Sequence, residues 1–130
     1  MLIDIYQYEE YRKALADLWS AKCEADPDLT HRAFAKIAGF SNPGFLGDVI
    51  RGRRKLSEEA VGKMVKGFGL KGGDAEFFQL LVKHNQAKIP EDREEYWRQI
   101  LTRRSRSSFV KMNPALSRYY QDHRYPLVRA

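Results

Sequence analysis

"FAKIAGFSNPGFLGDVIRGRRKLS", residues 34–57, joins two short apolar segments through a glycine and contains a run of basic side chains near its end. Just before it, Thr30 is a favourable N-cap, and Gly39 supplies the left-handed backbone conformation that a tight turn requires. Apolar side chains recur between these two residues at helical spacing, namely Phe34, Ile37 and Ala38. The sequence therefore predicts a helix over residues 30–38 that ends at the turn glycine.

A second helix is predicted over residues 41–51. Ser41 can accept a hydrogen bond as its N-cap, and Pro43 is tolerated in the first turn, where a backbone N–H has no helical partner. The inward face of this helix consists of four apolar residues, Phe45, Leu46, Val49 and Ile50. Gly52 closes the helix, and the "RRK" loop then leads to a further helix capped by Ser57.

Helical periodicity continues along the rest of the chain. No segment alternates cleanly between apolar and polar residues, as a half-buried strand would. We therefore expect an all-α fold of five to six short helices, with one helical domain over residues 1–104. Residues 105–130 mix serines, arginines and aromatic residues around two prolines, with a short helix expected over residues 114–121. This basic aromatic extension is interpreted as a tail or as the start of a truncated C-terminal domain.

Composition limits the class of protein. The chain has 130 residues, of which 43% are hydrophobic, enough to bury one core. Cys23 is the single cysteine and cannot form an internal disulfide, and the first ten residues lack the basic and apolar regions of a secretory signal. No apolar run approaches the roughly 18 residues of a membrane helix. We expect a cytoplasmic protein without a membrane partner.

Charge is distributed unevenly. The first fifty residues contain 5 Lys/Arg and 8 Asp/Glu, a net charge of −3, whereas the remaining residues contain 18 and 9, a net charge of +9. A positive field of this size attracts polyanions such as nucleic acid. The basic part begins at Arg51, directly at the end of the second predicted helix.

The two helices around Gly39 have the pattern of a helix-turn-helix, in which the first helix braces a second one that enters the major groove of DNA. With the apolar side chains inward, the second helix turns five residues outward: Asn42, Gly44, Gly47, Asp48 and Arg51. Asn42 and Arg51 are the strong candidates for contacting base edges, and Asp48 can accept a hydrogen bond from a cytosine amino group. The two glycines serve either a close approach to DNA or helix packing.

Phosphate contacts are predicted mainly in the following loop, at Arg53, Arg54 and Lys55. Three further candidates are Arg32, Ser41 and Gly44. Contacts of this kind supply salt-dependent affinity without sequence information, and the N–H groups at a helix start help to hold the anion. The alternative interpretation is that the loop cations are simply solvated.

Residues 30–70 resemble the lambda-repressor-like helix-turn-helix, whose members commonly show a Leu-Ala pair, a turn glycine, a recognition helix ending at Gly-Lys or Gly-Arg, and a following helix that closes on Leu-Gly. The interval from Gly39 to Gly52 is one residue longer here than is usual in that pattern.

A wider resemblance covers most of the chain. Residues 8–125 are similar to a bacterial paralogous family of transcriptional regulators that carry a C-terminal domain of unknown function. The likeness is carried by "YRKAL", "RAFAKIAGFSNPGFLGDVIRGRRKLS", "FFQLLVKHNQAK" and the tyrosine pair of "SRYYQDHRYP". The resemblance implies a DNA-binding N-terminal domain and supplies no ligand or operator.

Catalysis is not expected, since no nucleophile with a base, carboxylate pair, metal cluster or phosphate-binding loop occurs at a recognisable spacing. His31, His84 and His123 show no ligand spacing with one another or with Cys23. We expect His84, which lies on an apolar stripe, to be a core residue. No cofactor, metal or small-molecule ligand is expected.

Two functions stay open at this point. The leading hypothesis is a bacterial transcriptional regulator that binds double-stranded DNA. Because such domains usually occupy two half-sites, homodimerisation through the fifth and sixth helices or the tail is part of that hypothesis. The alternative is a protein–protein interaction module with a repressor-like fold, no base readout and an acidic partner.

Overall fold

Six α-helices follow a short 3-10 turn, Ile5–Gln7, in the computed structural model, which describes residues 3–112. The helices are α1 (Tyr11–Ala25), α2 (His31–Ala38), α3 (Phe45–Ile50), α4 (Glu58–Phe68), α5 (Gly73–Gln86) and α6 (Pro90–Met112). No strand occurs within the described range. The predicted all-α fold is therefore confirmed.

Aromatic packing fixes α2 between its neighbours. The largest fully buried side chains of the core are Phe34, Phe77, Phe78, Leu15, Leu46, Met64, Leu81, Ile100 and Val49. The Phe34 ring centre lies 5.6 Å from that of Trp19 in α1 and 4.6 Å from that of Phe68 in α4, within the range of favourable aromatic pairs. Because Phe34 contacts two helices at once, it holds α2 against both.

The helices α2 and α4 approach each other closely at Gly67. A Cβ atom at this glycine would lie 2.6 Å from Cζ of Phe34 and 2.9 Å from Cβ of Ala38. Since Phe34 and Ala38 face α4, Ile37 between them lies on the outer surface, where it is 50% exposed. Of the three apolar residues at helical spacing in α2, Phe34 and Ala38 are therefore buried and Ile37 is not.

Local signals at both ends of α2 act as predicted. Thr30 Oγ1 accepts a hydrogen bond from the N–H of Ala33 at 3.1 Å, and Gly39 adopts the left-handed conformation with φ of 97°. The N–H of Phe40 donates to the carbonyl of Ala35 at 2.8 Å. The turn after α2 therefore has the hydrogen bonds of a glycine-terminated helix.

The long helix α6 continues through residue 104, where the sequence predicted a domain boundary. Arg104 donates from Nε to the carbonyl of Tyr6 at 2.7 Å and from Nη2 to the carbonyl of Tyr8 at 3.1 Å. These bonds fasten the middle of α6 to the N-terminal segment. The predicted boundary consequently falls inside a helix, and the helix predicted over residues 114–121 lies outside the described residues.

Candidate nucleic-acid interface

The helix α3 is shorter than predicted, because it spans Phe45–Ile50 instead of residues 41–51. Before it, Asn42 Oδ1 accepts a hydrogen bond from the N–H of Gly44 at 2.9 Å, which forms a local turn. The N–H of Asp48 then bonds to the carbonyl of Gly44 at 3.0 Å. The prediction that Ser41 caps this helix is wrong, because the residues after it are used for the turn.

Asp48, Arg51 and Arg54 form one cluster on α3 and the loop that follows. Asp48 Oδ1 lies 3.3 Å from Arg51 Nη2, and Asp48 Oδ2 lies 3.9 Å from Arg54 Nε. The side chains of the two arginines are 58% and 54% exposed, and that of Asp48 is 25% exposed. Ion pairs at such exposure are weak, since water and salt screen them. The cluster therefore presents two accessible guanidinium groups that share one carboxylate.

Two residues of α3 form the surface beneath these guanidinium groups. A Cβ atom at Gly47 would lie 3.1 Å from Arg51 Nη2 and 3.2 Å from Arg51 Nη1. The Arg54 guanidinium lies 5.7 Å from the ring centre of Phe45, which is a cation–π contact. The sequence places Gly47 on the outward face, but the structure buries it, and its missing side chain leaves room for Arg51.

The other predicted contact residues are exposed and stand apart from this cluster. Ser41, Asn42 and Gly44 lie in the turn before α3, Arg53 and Lys55 lie in the loop after it, and Arg32 lies in the first turn of α2. Within the part of the chain that the structure describes, the side chains of Arg32, Arg53 and Lys55 form no hydrogen bond or ion pair. Of the residues predicted to contact DNA, Asp48, Arg51 and Arg54 thus contact one another, and the others are separate and exposed.

Arg12 of α1 links the end of α3 to the loop that follows it. Its Nη1 donates hydrogen bonds to the backbone carbonyl of Val49 and to that of Arg54, the latter at 3.0 Å. The Val49 carbonyl lies in the last turn of α3 and also accepts a hydrogen bond from the N–H of Gly52 at 3.0 Å. Arg12 therefore adds a side-chain donor at the helix end and ties that end to the loop. Sequence reasoning missed Arg12 because its partners lie 37 and 42 residues away along the chain.

Gln86, the last residue of α5, holds the other end of the loop. Its carboxamide pairs with the backbone of Leu56, and its Oε1 also accepts a hydrogen bond from the Tyr11 hydroxyl at 3.0 Å. Leu56 is buried, whereas residues 51–55 are exposed. The loop backbone is therefore fixed at both ends while its basic side chains face solvent. A lone glutamine at a helix end carries no pattern that could have identified it.

A groove of about 670 Å³ lies between the start of α1, the end of α5 and the start of α6. On its wall, the His84 ring centre lies 5.3 Å from that of Trp97, and His84 Nδ1 lies 3.3 Å from Asn85 Nδ2. Burial lowers the pKa of His84, the charge of Arg93 acts in the same direction, and Glu9 opposes them. The expectation that His84 is a core residue is corrected, because it is only half-buried at the edge of the groove.

The described residues contain neither a metal-binding cluster nor a membrane-spanning helix. None of their His, Cys, Asp and Glu side chains form a group of three or more that could hold a metal ion. None of the helices in that range combines the length and the apolar character that crossing a bilayer requires.

Comparison with known proteins gives no relative whose role could be transferred to this chain. No protein-family model matches it, and neither does any curated protein or solved structure. The function is therefore inferred from α3, the loop after it and the contacts that hold that loop.

Proposed function

We propose that the chain is a transcriptional regulator that binds double-stranded DNA, with α3 and Arg51 at the major groove and the loop over residues 53–55 on the phosphates. One observation carries the proposal. The loop exposes four cations, Arg51, Arg53, Arg54 and Lys55, while its backbone is held by the side chains of Arg12 and Gln86.

A fixed backbone favours ligand binding over simple solvation of this loop. Four cations within five residues repel one another, so their placement costs free energy that an anion would offset. Because the backbone is already ordered, less conformational entropy is lost when phosphates bind. Guanidinium groups bind phosphate oxygens in pairs of hydrogen bonds, so Arg53 and Arg54 are well suited to bind phosphates.

The turn before α3 supports contact with base edges. Asn42 is exposed, and its Oδ1 is already bonded to the N–H of Gly44. Its amide nitrogen is then the atom available to DNA, where it can donate to guanine O6 or N7 or to thymine O4 in the major groove. Arg51, at the other end of α3, is exposed and is suited to guanine.

The test is binding to short duplexes of random sequence, measured by fluorescence anisotropy over a range of salt concentrations. Arg53→Ala combined with Arg54→Ala is expected to weaken binding and to reduce the salt slope by about 2, close to 0.9 for each lost phosphate contact. The matched control removes two exposed arginines of α6, Arg98 and Arg106, and is expected to bind like the wild type.

Two results would count against this function. Absence of binding by the wild type at low salt would contradict it and would favour the protein-interaction alternative. Equal losses in the loop variant and the α6 control would indicate a general effect of net charge and would remove the role of the loop.

A further inference from the structure

We propose that Asp48 restrains DNA binding by occupying Arg51 and Arg54 until acceptor atoms of the DNA, a base edge at Arg51 and a phosphate at Arg54, replace it, and that it thereby selects against DNA lacking a suitable base. The inference rests on the proposed function and adds a role that the basic loop alone does not supply. The added role is sequence specificity. The Asp48 carboxylate opposes the binding of every duplex, and only duplexes with a suitable base offset this opposition.

The contacts place the carboxylate where acceptor atoms of the DNA would bind the two arginines. Each Asp48 oxygen faces one arginine, at 3.3 Å from Arg51 Nη2 and at 3.9 Å from Arg54 Nε. Carboxylate and phosphate oxygens accept the same guanidinium hydrogen bonds. In the absence of DNA, the Asp48 carboxylate is therefore the anion that pairs with the two arginines.

The arginine positions do not depend on Asp48 alone. Arg51 extends over Gly47, and Arg54 lies over the Phe45 ring. In addition, the N–H of Arg53 donates a hydrogen bond to the Asp48 carbonyl at 2.8 Å, and this bond holds the loop backbone against α3. Loss of the carboxylate charge would therefore leave two prepositioned arginines without their internal anion.

Exchange of the carboxylate for acceptor atoms of the DNA is feasible because both ion pairs are exposed to solvent and weak. After the exchange, however, Asp48 retains its charge and repels the phosphates nearby. An amino group of cytosine or adenine in the major groove can donate a hydrogen bond to the carboxylate and offset this repulsion. A base that presents only acceptors at that position, guanine or thymine, leaves the repulsion in place, which is a form of selection against the wrong partner.

Asp48→Asn keeps the size of the side chain and removes its charge. On short duplexes of random sequence, this variant is expected to bind roughly five- to tenfold more tightly than the wild type at low salt, with a salt slope steeper by about 1. The matched control is Glu95→Gln, which removes the carboxylate of another ion pair with an arginine three residues later, Arg98 on α6. That control is expected to leave the affinity unchanged.

Selection from a pool of randomised duplexes tests the specificity directly. The wild type is expected to enrich cytosine or adenine at one position, and Asp48→Ala, which removes both the charge and the acceptor, is expected to lose that preference. The two variants remove the charge with different side chains, so a folding defect in one is recognised by comparison with the other and by circular dichroism.

The outcomes separate this inference from the function on which it rests. If the wild type binds and Asp48→Asn binds no more tightly, the inference is overturned while the proposed function stands. If neither protein binds duplex DNA at low salt, the proposed function fails and the inference fails with it.

Discussion

Gln86 and Leu56 are joined by two hydrogen bonds of 2.9 Å, one donated by Gln86 Nε2 to the Leu56 carbonyl and one accepted by Gln86 Oε1 from the Leu56 N–H. Leu56 is only 4% exposed, so water does not readily replace these bonds. Buried backbone groups need a partner of this kind. A single carboxamide therefore fixes the point where the basic loop enters the core.

Replacement of Gln86 should destabilise the fold. Gln86→Ala is expected to lower the free energy of unfolding by about 1–3 kcal/mol, because buried backbone groups of Leu56 lose their partners. Gln79→Ala provides the control, since Gln79 is exposed on the same helix and its replacement should change stability by less than about 0.5 kcal/mol. Urea unfolding followed by circular dichroism measures both. Equal effects of the two changes would contradict the role given to Gln86.

The close contact between α2 and α4 predicts opposite effects for two glycines of one helix. Gly67→Ala places a methyl group 2.6 Å from Cζ of Phe34, and overpacking of this kind costs about 1–3 kcal/mol. Gly62→Ala meets no atom within 4 Å and should stabilise α4 by up to about 1 kcal/mol, since alanine is the better helix former. Thermal unfolding of the two variants distinguishes them. A neutral or stabilising Gly67→Ala would show that the helices are not packed as described.

Stability should depend on pH through His84. Burial and the charge of Arg93 lower the pKa of His84 below its ordinary value of 6.5, so the unfolded chain binds this proton more readily than the folded chain. The free energy of unfolding is therefore expected to be highest above pH 6.5 and to fall as the pH drops below that value. His84→Phe removes the group and should flatten this part of the profile.

The control for the pH dependence is His31→Gln, which removes an exposed histidine at the start of α2 and leaves His84 in place. Urea unfolding over a series of mildly acidic buffers gives the profiles of all three proteins. A profile of His84→Phe as steep as that of the wild type would assign the dependence to other groups.

Much of the helical framework could be predicted because its signals are local. The caps at Thr30 and Ser57 and the left-handed turn at Gly39 each involve residues within five positions of one another. The exposure of Ile37 does not follow from such local signals. In a helix as short as α2, the face that becomes buried depends on where α4 packs, and that is a tertiary property.

The candidate site was only partly accessible to sequence reasoning. The exposed cations at Arg51, Arg53 and Arg54 follow from a charged run beside a helix. By contrast, the contact of Arg54 with Asp48 arises because the loop turns back along α3, and the support from Arg12 and Gln86 comes from segments distant in the chain. Such contacts leave no periodicity or motif from which they could be predicted.

The most direct measurement of the central claim is an NMR titration of the isotope-labelled protein with a short duplex of random sequence, because it shows both whether DNA binds and where. We predict the largest amide shift changes over residues 42–55, with small changes along α6. Absence of changes at low salt, or changes concentrated on α6 and the groove beside it, would contradict the assignment of α3 and its loop as the DNA-binding surface.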